Sequence, residues 1–450
     1  MIPFKLTDEL VAEIEQLIEN QKNTELVSLM DDVHYADVAE IINELNEDEA
    51  TYLIKLLESD KTSDVLTELD EDVREAILKN LSAKEIAGEI EELDTDDAAD
   101  IINELPIEIV QEVISEIEDR DHAKDIVDLL RYDDNSAGGL MAKELVKVRE
   151  NWDVLKCVKE MRAQAENVTR VHSIYVVDDG DKLKGRLSLK DLLTTSTRTQ
   201  IADVYIPKVD SVNVHEKPEE VAKIMQKYDL EAIPVVDEIG RLVGRITIDD
   251  IVDVIREEAD KDYQMAAGIS QDVEADDSIW DLTRARLPWL FLGLVGGVGA
   301  AVIMGTFEEM IAKHAILFFF TPLIAAMAGN VGVQSSAIIV QGLANDDLKG
   351  SIGNRLIKEM LLAALNGLIL AAILLLFTWA YKGSFPTALA ISISLVVVII
   401  VAGIIGTFTP LFLHKRGIDP AIATGPFITT SNDIFGILIY FWIAKVVLGI

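Results

Sequence analysis

The sequence predicts a multidomain chain: an all-α helical repeat, then an α/β pair of repeated units, then a five-helix α transmembrane domain. Three observations carry that prediction. The first is charge: the formal net charge of −38 is unevenly spread over the 450 residues. From Leu287 onward there are seven acidic and eight basic residues, so the first 286 positions carry about −39. The second is the set of apolar segments near 287–306, 314–342, 356–381, 388–413 and 421–449. Each is long enough to cross a hydrocarbon core of ~30 Å. The third is repetition: DVAEIINEL at 37–45 returns as DAADIINELP at 97–106.

Residues 1–131 read as helix throughout. Apolar residues recur at three- and four-residue spacing, as in LVAEIEQLIE, with Asp, Ser or Thr near several helix starts. Repeated short helices with one apolar face predict a small solenoid. Its acidity argues against nucleic acid, whose phosphates it would repel. Cys157 is the single cysteine, which excludes a disulfide framework and a thiolate metal cluster. The stretch MIPFKLTDELVAEIEQLIEN has no basic region followed by an apolar core, so no signal peptide is expected and the acidic half is expected in the cytoplasm.

At YDDNSAGGLM, 132–141, the pattern changes to turn formers with two adjacent glycines, as expected of a linker or tight inter-domain turn. Two similar units follow within 132–255, at about 138–198 and 202–255. The first orders a helix, a strand HSIYVVDD, a turn and LKGRLSLKDLL; the second repeats it as PEEVAKIMQKYDL, AIPVVDE and LVGRITIDDIVDVI. The order, and LVGRITIDD above all, resembles a tandem pair of CBS domains, regulatory modules that sense a ligand and dimerise. Members that bind adenine nucleotides carry an Asp three residues after a Ser or Thr. Ser188/Asp191 and Thr247/Asp250 fit that spacing, so the resemblance extends to ATP, met by Asp191 and Asp250.

Residues 256–286 are expected to form a connecting helix between this pair and the apolar domain, 287–450. With the acidic half inside, Arg284, Arg286, Lys349, Arg355, Lys358, Lys415 and Arg416 fall on the inner side, and Lys313, Lys382 and Lys445 outside. That agrees with the excess of basic residues in cytoplasmic loops. It predicts a multi-pass protein of the cell (inner) membrane, bathed in membrane lipid, with its C-terminus outside.

The chemistry is expected in the last span, where DPAIATGPFITTSND carries Asp433. A carboxylate at membrane depth costs about 2.5–3.5 kcal/mol on insertion scales and should face a wet path. Pro426 is expected to break the helix there, freeing carbonyls beside Gly425. Thr429, Thr430, Ser431 and Asn432 add oxygen donors. The second span carries a matching polar interruption, AGNVGVQSS, with Gly329, Asn330, Gly332 and Gln334. Donors made only of hard oxygen suit Mg2+ or Ca2+ rather than zinc or copper. Two chains meeting on an axis would pair their single aspartates around a hydrated cation.

YDDNSAGGLM, the CBS pair, five spans, AGNVGVQSS and DPAIATGPFITTSND, in that order, resemble the MgtE family of magnesium channels over essentially the whole chain. The resemblance implies a homodimer with its pore between subunits, lined by the second and fifth spans. Asp433 would be the ion-selecting carboxylate and Asp419 would stand at the cytoplasmic mouth. Val333 stands where some relatives carry an amide.

The resemblance also implies that the cytoplasmic half senses Mg2+, with 256–286 acting as a plug. DDIVDVIREEADKD spaces Asp250, Asp253, Glu257 and Glu258 by three and four residues, with Asp249 and Asp262 nearby, and DTDDAAD places Asp96 and Asp100 one turn apart. Like charges so spaced repel; bridging Mg2+ would reverse that. The alternative is a secondary transporter coupling a divalent cation to protons through Asp433. An enzyme is not expected, because the chain lacks both a Gly-x4-Gly-Lys-Ser/Thr phosphate loop and a His-Glu-x-x-His helix.

Overall fold

A computed structural model describes residues 4–165, 168, 170–270, 273, 277–344, 348, 351–382, 384–423 and 425–449. Lys349, named above among the loop charges, and Asp346 and Asp347, two of the seven acidic residues after Leu287, lie outside the described residues, as do 271, 272 and 274–276 of the connecting segment. The chain forms two compact units, Met1–Ile255 and Arg256–Ile450.

The first unit opens with ten short helices among the described residues. They are α1 Asp8–Glu19, α2 Asn23–Asp31, α3 Tyr35–Asn43, α4 Glu47–Ile54, α5 Ser59–Thr67, α6 Glu71–Lys79, α7 Ala83–Ile90, α8 Thr95–Glu104, α9 Ile107–Glu116 and α10 Arg120–Leu129. Each is too short to persist alone, so packing and caps must hold it. Asn46 with Glu49 and Ser82 with Glu85 form reciprocal capping boxes at the starts of α4 and α7. Helices stack two apart, α3 on α5, α5 on α7 and α7 on α9, which makes the array a solenoid. The sequence echo is an echo of core positions. Val38, Ile41, Ile42 and Leu45 are buried, and so are Ala98, Ile101, Ile102 and Leu105 sixty residues on. Arg74 ties successive layers, donating from Nε to Glu104 Oε2 at 2.9 Å and from Nη1 to the Leu69 carbonyl at 3.1 Å.

The turn at 132–141 is packed rather than free. Ala137 N and Gly138 N donate to the carbonyls of Glu216 and Val214 at 2.7 and 2.9 Å, and Met141 is buried. The first α/β repeat comprises β1 Val146–Arg149, α11 Val154–Ala165, β2 Ile174–Val177, β3 Leu183–Leu187, α12 Leu189–Thr194 and β4 Ile206–Pro207. The second comprises β5 Val212–Asn213, α13 Pro218–Tyr228, β6 Ala232–Val236, β7 Leu242–Thr247 and α14 Ile248–Ala267. In each, a parallel pair (β1–β2, β5–β6) is followed by an antiparallel one (β2–β3, β6–β7). Even the irregularity repeats: the register slips at Val176/Val177 and again at Val235/Val236. Such a bulge re-aims the strand end, and its presence in both copies marks them as one design used twice.

In the second unit five helices among the described residues are long and apolar enough to span a bilayer: α15 Ile279–Thr306, α17 Ala315–Ala344, α18 Ile352–Lys382, α19 Phe385–Lys415 and α20 Gly425–Leu448. A short α16, Glu308–Lys313, lies between the first two. Spans of 24 to 31 residues reach roughly 36 to 46 Å. α19 is the most enclosed and packs on α17, α18 and α20, whereas Leu290, Leu294, Leu361, Leu365 and Leu368 stand exposed on α15 and α18. Apolar surface of that extent needs lipid or a partner to cover it.

Two expectations are corrected. Pro426 does not break the last span: it is the second residue of α20, where its missing N–H would have had no helical partner. The prolines that do lie inside spans are Pro288, Pro322 and Pro410. The connecting segment is not one helix either. α14 ends at Ala267, Gly268 turns the chain at φ +83°, and α15 has begun by Ile279.

Candidate functional site

A cavity of about 380 Å³ lies between α17 and α20. On α17 the residues at three- and four-residue spacing, Ala326, Gly329, Asn330, Val333 and Gln334, form one wall; Thr429 and Asp433, one turn apart on α20, form the other. Gly329 sets the closeness of the two helices: a Cβ there would stand 3.3 Å from Thr429 Cγ2. Asp433 lies eight residues into α20, roughly 12 Å along its axis. The donors are one carboxylate, one hydroxyl and two amides, a set of neutral and anionic oxygens suited to a hard cation or its water shell.

Of the residues expected to face the path, Gly329, Asn330, Thr429 and Asp433 do line the cavity. Thr430 does not. Consecutive helical residues diverge by about 100°, so Thr430 turns to α15, its Cγ2 filling the space where Gly296 lacks a Cβ. Gly425 is at the start of α20 at φ +41°, a backbone region that side chains avoid, with the Ala266 carbonyl of α14 against it. Gly268 meets the Pro426 ring in the same way, so the end of α14 sits on the first turn of α20.

Asp419 accepts from Ala421 N at 2.8 Å and so caps the short helical turn Pro420–Ala423. Asp262 of α14 lies near it. Burial, then the charges of Asp419 and Glu258, hold the Asp262 carboxyl above its ordinary range. Beyond α14, Ser270 N and Oγ both donate to the Ala285 carbonyl, at 3.0 and 2.9 Å.

Sequence reasoning missed Glu359. It reaches from α18 to accept from Ser335 Oγ at 2.6 Å, and a Cβ at Gly403 would lie 3.0 Å from its Oε1. Ser335 adjoins Gln334, so this carboxylate braces the cavity wall from behind. The signal was an acidic residue near the beginning of a span, which reads equally well as a loop charge.

The first unit holds a second acidic assembly. The carboxylate oxygens of Asp94, Asp96 and Glu144 lie within 4.8 Å of one another. Asp96, Asp97 and Asp100 of α8 share a field with Asp250 in the first turn of α14. Burial, then Asp250, pushes Asp96 well above the ordinary carboxylate range. Asp97 rises to about 7 from burial and the charges of Asp250 and Asp100. Asp100 rises to about 6 from burial and the charges of Asp134 and Asp250. Burial also lifts Asp250 to about 6, against hydrogen bonds from Thr247 N and Oγ1 at 3.1 and 2.8 Å. Two cations are at hand, Arg245 with Nη2 3.3 Å from Asp94 Oδ2 and Arg74 acting on Asp100.

The structure therefore brings Asp96, Asp100 and Asp250 together, with Asp249 adding its charge at Asp97. It leaves Asp253 and Glu257 exposed on α14 and Glu258 partly covered. Asp94 and Glu144 were missed because their partnership spans about fifty residues of chain, Thr95 Oγ1 donating to Glu144 Oε2 at 2.9 Å.

Asp191 lies elsewhere, on a cavity of about 420 Å³ with His172, Arg186, Ser188 and Lys190. Asp250, its counterpart in the second repeat, faces the acids of α8.

Family models match in the same order as these units: the MgtE intracellular N domain over residues 33–135, the CBS domain over 137–197 and 201–257, and the MgtE divalent cation transporter domain over 321–443. The chain is 35% identical over 326 residues to the magnesium transporter MgtE of Enterococcus faecalis, covering 72% of each. It is 36% identical over 324 residues to that of Thermus thermophilus, covering 71% of this chain and 72% of the relative. A crystal structure of the cytosolic domain of the Mg2+ channel MgtE in complex with ATP is similar at 33% identity and a TM-score of 0.50, over 54% of this chain and 99% of the other. Sequence, spans and domain order agree: this chain is a multi-pass membrane protein and belongs to the MgtE family.

Proposed function

We propose that two copies of the chain form a Mg2+ channel that imports Mg2+ across the cell membrane, with the first unit cytoplasmic, the C-terminus outside and closure driven by cytoplasmic Mg2+. The observation that carries the reading is the cavity between α17 and α20, where Asp433 is the single carboxylate among hard oxygen donors. Asn330 and Gln334 are exposed on one chain at membrane depth. Lipid cannot satisfy an amide, and a second copy would close a wet path over these groups. Magnesium sheds its water reluctantly, so a lone carboxylate and neutral donors suit a hydrated ion in transit. The relatives are magnesium transporters.

Control fits the acidic assembly. Six carboxylates with Arg245 and Arg74 as the near cations form a donor set for hard divalent ions, and Asp94, Asp96 and Glu144 would hold one directly, with Asp250 and Asp100 beside them. Neutralised, these faces stay together; without cations they repel. α14 starts at this assembly and runs on to Ala266, whose carbonyl lies against Gly425 at the foot of α20. Its position is therefore the natural link between sensing and the path, with Asp262 and Asp419 as a further acidic pair at the mouth.

Mg2+ uptake into lipid vesicles by the full chain and by Asp433→Ala tests the reading. Uptake by the first and none by the second is expected. Uptake that follows an imposed pH gradient would instead mean a proton-coupled transporter.

ATP is a second ligand in this reading, favoured by the Asp191 cavity, where Lys190 and Arg186 supply cations for phosphates and Asp191 an acceptor for a ribose. Calorimetric titration of ATP into the full chain and into Asp191→Ala checks it, the variant binding more weakly.

A further inference from the structure

Behind the cavity, where α17, α19 and α20 cross, is a polar side chain with nothing to bond to. Asn432 is 1% exposed, and neither its Oδ1 nor its Nδ2 has a hydrogen-bond partner among the described residues. Its amide sits against Gly332, where an added Cβ would overlap Nδ2. Gly406 of α19 packs on the carbonyl of the same glycine, and the neighbouring Thr407, also 1% exposed, has an unpaired hydroxyl.

An Asn that merely joins membrane helices bonds across the interface. This one does not, and a buried amide left unpaired is costly. A leucine would fill comparable space without that cost. The chain therefore holds at this crossing a group whose chemistry is used in some other arrangement.

That arrangement is one residue away. Asp433 and Thr429 face the cavity; Asn432 and Ile428 face Gly332. Because successive residues are about 100° apart, a rotation of α20 smaller than that carries Asn432 to the cavity wall. The seams around α20 are lined by small residues, and a turn lifts the Thr430 methyl out of its notch at Gly296. Gly436 faces Ala328, Gly296 faces Thr430 and Gly299 faces Ile434. A lever is present as well, since the end of α14 sits on Gly425 and Pro426 at the helix start.

We propose that Asn432 is a second ion-facing ligand, withdrawn in this conformation, and that α20 turns to set its amide beside Asp433 when the path conducts. The inference rests on the reading of that cavity as the ion path and of Mg2+ as the closing signal. The amide oxygen would accept from the water shell of a divalent cation and the amide N–H groups would find water, which ends the unpaired burial.

The test is thiol accessibility in the full chain in lipid vesicles. The native Cys157 is buried, so the unmodified chain supplies the background. Thr429→Cys marks the cavity and Asn432→Cys the withdrawn position. Both are treated with a small charged methanethiosulfonate reagent, with EDTA and with Mg2+. In EDTA, Asn432→Cys is expected to react within about tenfold of Thr429→Cys, and at least about tenfold more slowly once Mg2+ is added. An Asn432→Cys thiol silent in both conditions, or equally reactive in both, beside a reactive Thr429→Cys, overturns the inference and leaves the path reading intact. A silent Thr429→Cys removes the path reading, and this one with it. Asn432→Leu is the second check: its unfolding midpoint should rise while Mg2+ uptake at low internal Mg2+ falls about tenfold, the bias expected when one orphaned amide no longer opposes withdrawal. A raised midpoint with unchanged uptake means the amide never meets the ion.

Discussion

The two acidic sites of this chain differ in crowding. In the first unit Asp94, Asp96, Asp97, Asp100, Glu144 and Asp250 share one field, Asp96 buried, Asp100 exposed and the rest half-buried, with Asp97 pushed to about 7. In the second, Asp433 is alone among threonine, glycine, amides and alanine. Two carboxylates about 5 Å apart repel by ~3 kcal/mol at an effective dielectric near 20. A crowded set therefore stores repulsion that a bound cation relieves, and its geometry depends on whether the cation is there. A carboxylate with no acidic neighbour in its own chain, met at most by its copy across an ion's water shell, stores far less, so it can attract an ion and let it leave, which conduction requires. Crowding suits a sensor, and isolation suits a path.

The comparison can be broken most directly at Asp433. Asp433→Asn keeps the shape and removes the charge, and Mg2+ uptake into vesicles should fall to that of protein-free membranes. Persistent uptake would mean that isolation of this carboxylate has nothing to do with passage.

Next in size is the triple change Asp96→Asn, Asp100→Asn, Asp250→Asn. Uptake at low internal Mg2+ should be retained, while the Mg2+ concentration that halves it should rise by about 5- to 150-fold, the span of typical coupling energies. Patch recordings across a range of internal Mg2+ measure that shift directly. An unshifted midpoint would assign control to other acids, Asp253 and Glu257 among them.

Smaller is the response of stability to pH. Asp97, Asp100 and Asp250 have folded-state pKa values of about 7, 6 and 6, above the ordinary 3.8. The folded chain therefore holds more protons than the unfolded one between about pH 4 and pH 7, and stability falls as pH rises through that window. In EDTA the first unfolding transition should lie about 5 °C lower at pH 8 than at pH 5. Mg2+ should narrow the gap. A transition that rises with pH in EDTA would contradict the crowding.

The smallest effect separates neighbours. Thr429→Val should lower uptake several-fold, while Thr430→Val, facing Gly296, should leave uptake unchanged. Equal losses would mean that the hydroxyls matter through helix packing and not through the cavity.

Periodicity and charge made most of the architecture legible before any coordinates. The isoleucines and leucines at 41, 42 and 45 and at 101, 102 and 105 announced the solenoid, because burial needs just that spacing. The spans were legible because their apolar runs have no other stable setting. What escaped was angular and long-range. Thr429 and Thr430 are indistinguishable in composition, and only the rotation of α20 separates them. Pro426 reads as a breaker until the helix is seen to begin at Gly425. Glu144 joins Asp94 through the docking of a loop that no local pattern encodes. Asp96, Asp100 and Asp250 were named together because the resemblance asks for acids on facing helices, and Asp253 was named with them because spacing along α14 cannot tell which side lies beside α8.

The twin slips at Val176/Val177 and Val235/Val236 give the two repeats one backbone design, yet their Ser/Thr–Asp turns meet different surroundings. Ser188 and Asp191 open on a hollow of about 420 Å³, while Thr247 binds Asp250 to itself and turns it towards the solenoid. The same Ser/Thr–Asp spacing thus borders a hollow in one repeat and an acidic cluster in the other, so one repeated turn serves two electrostatic settings.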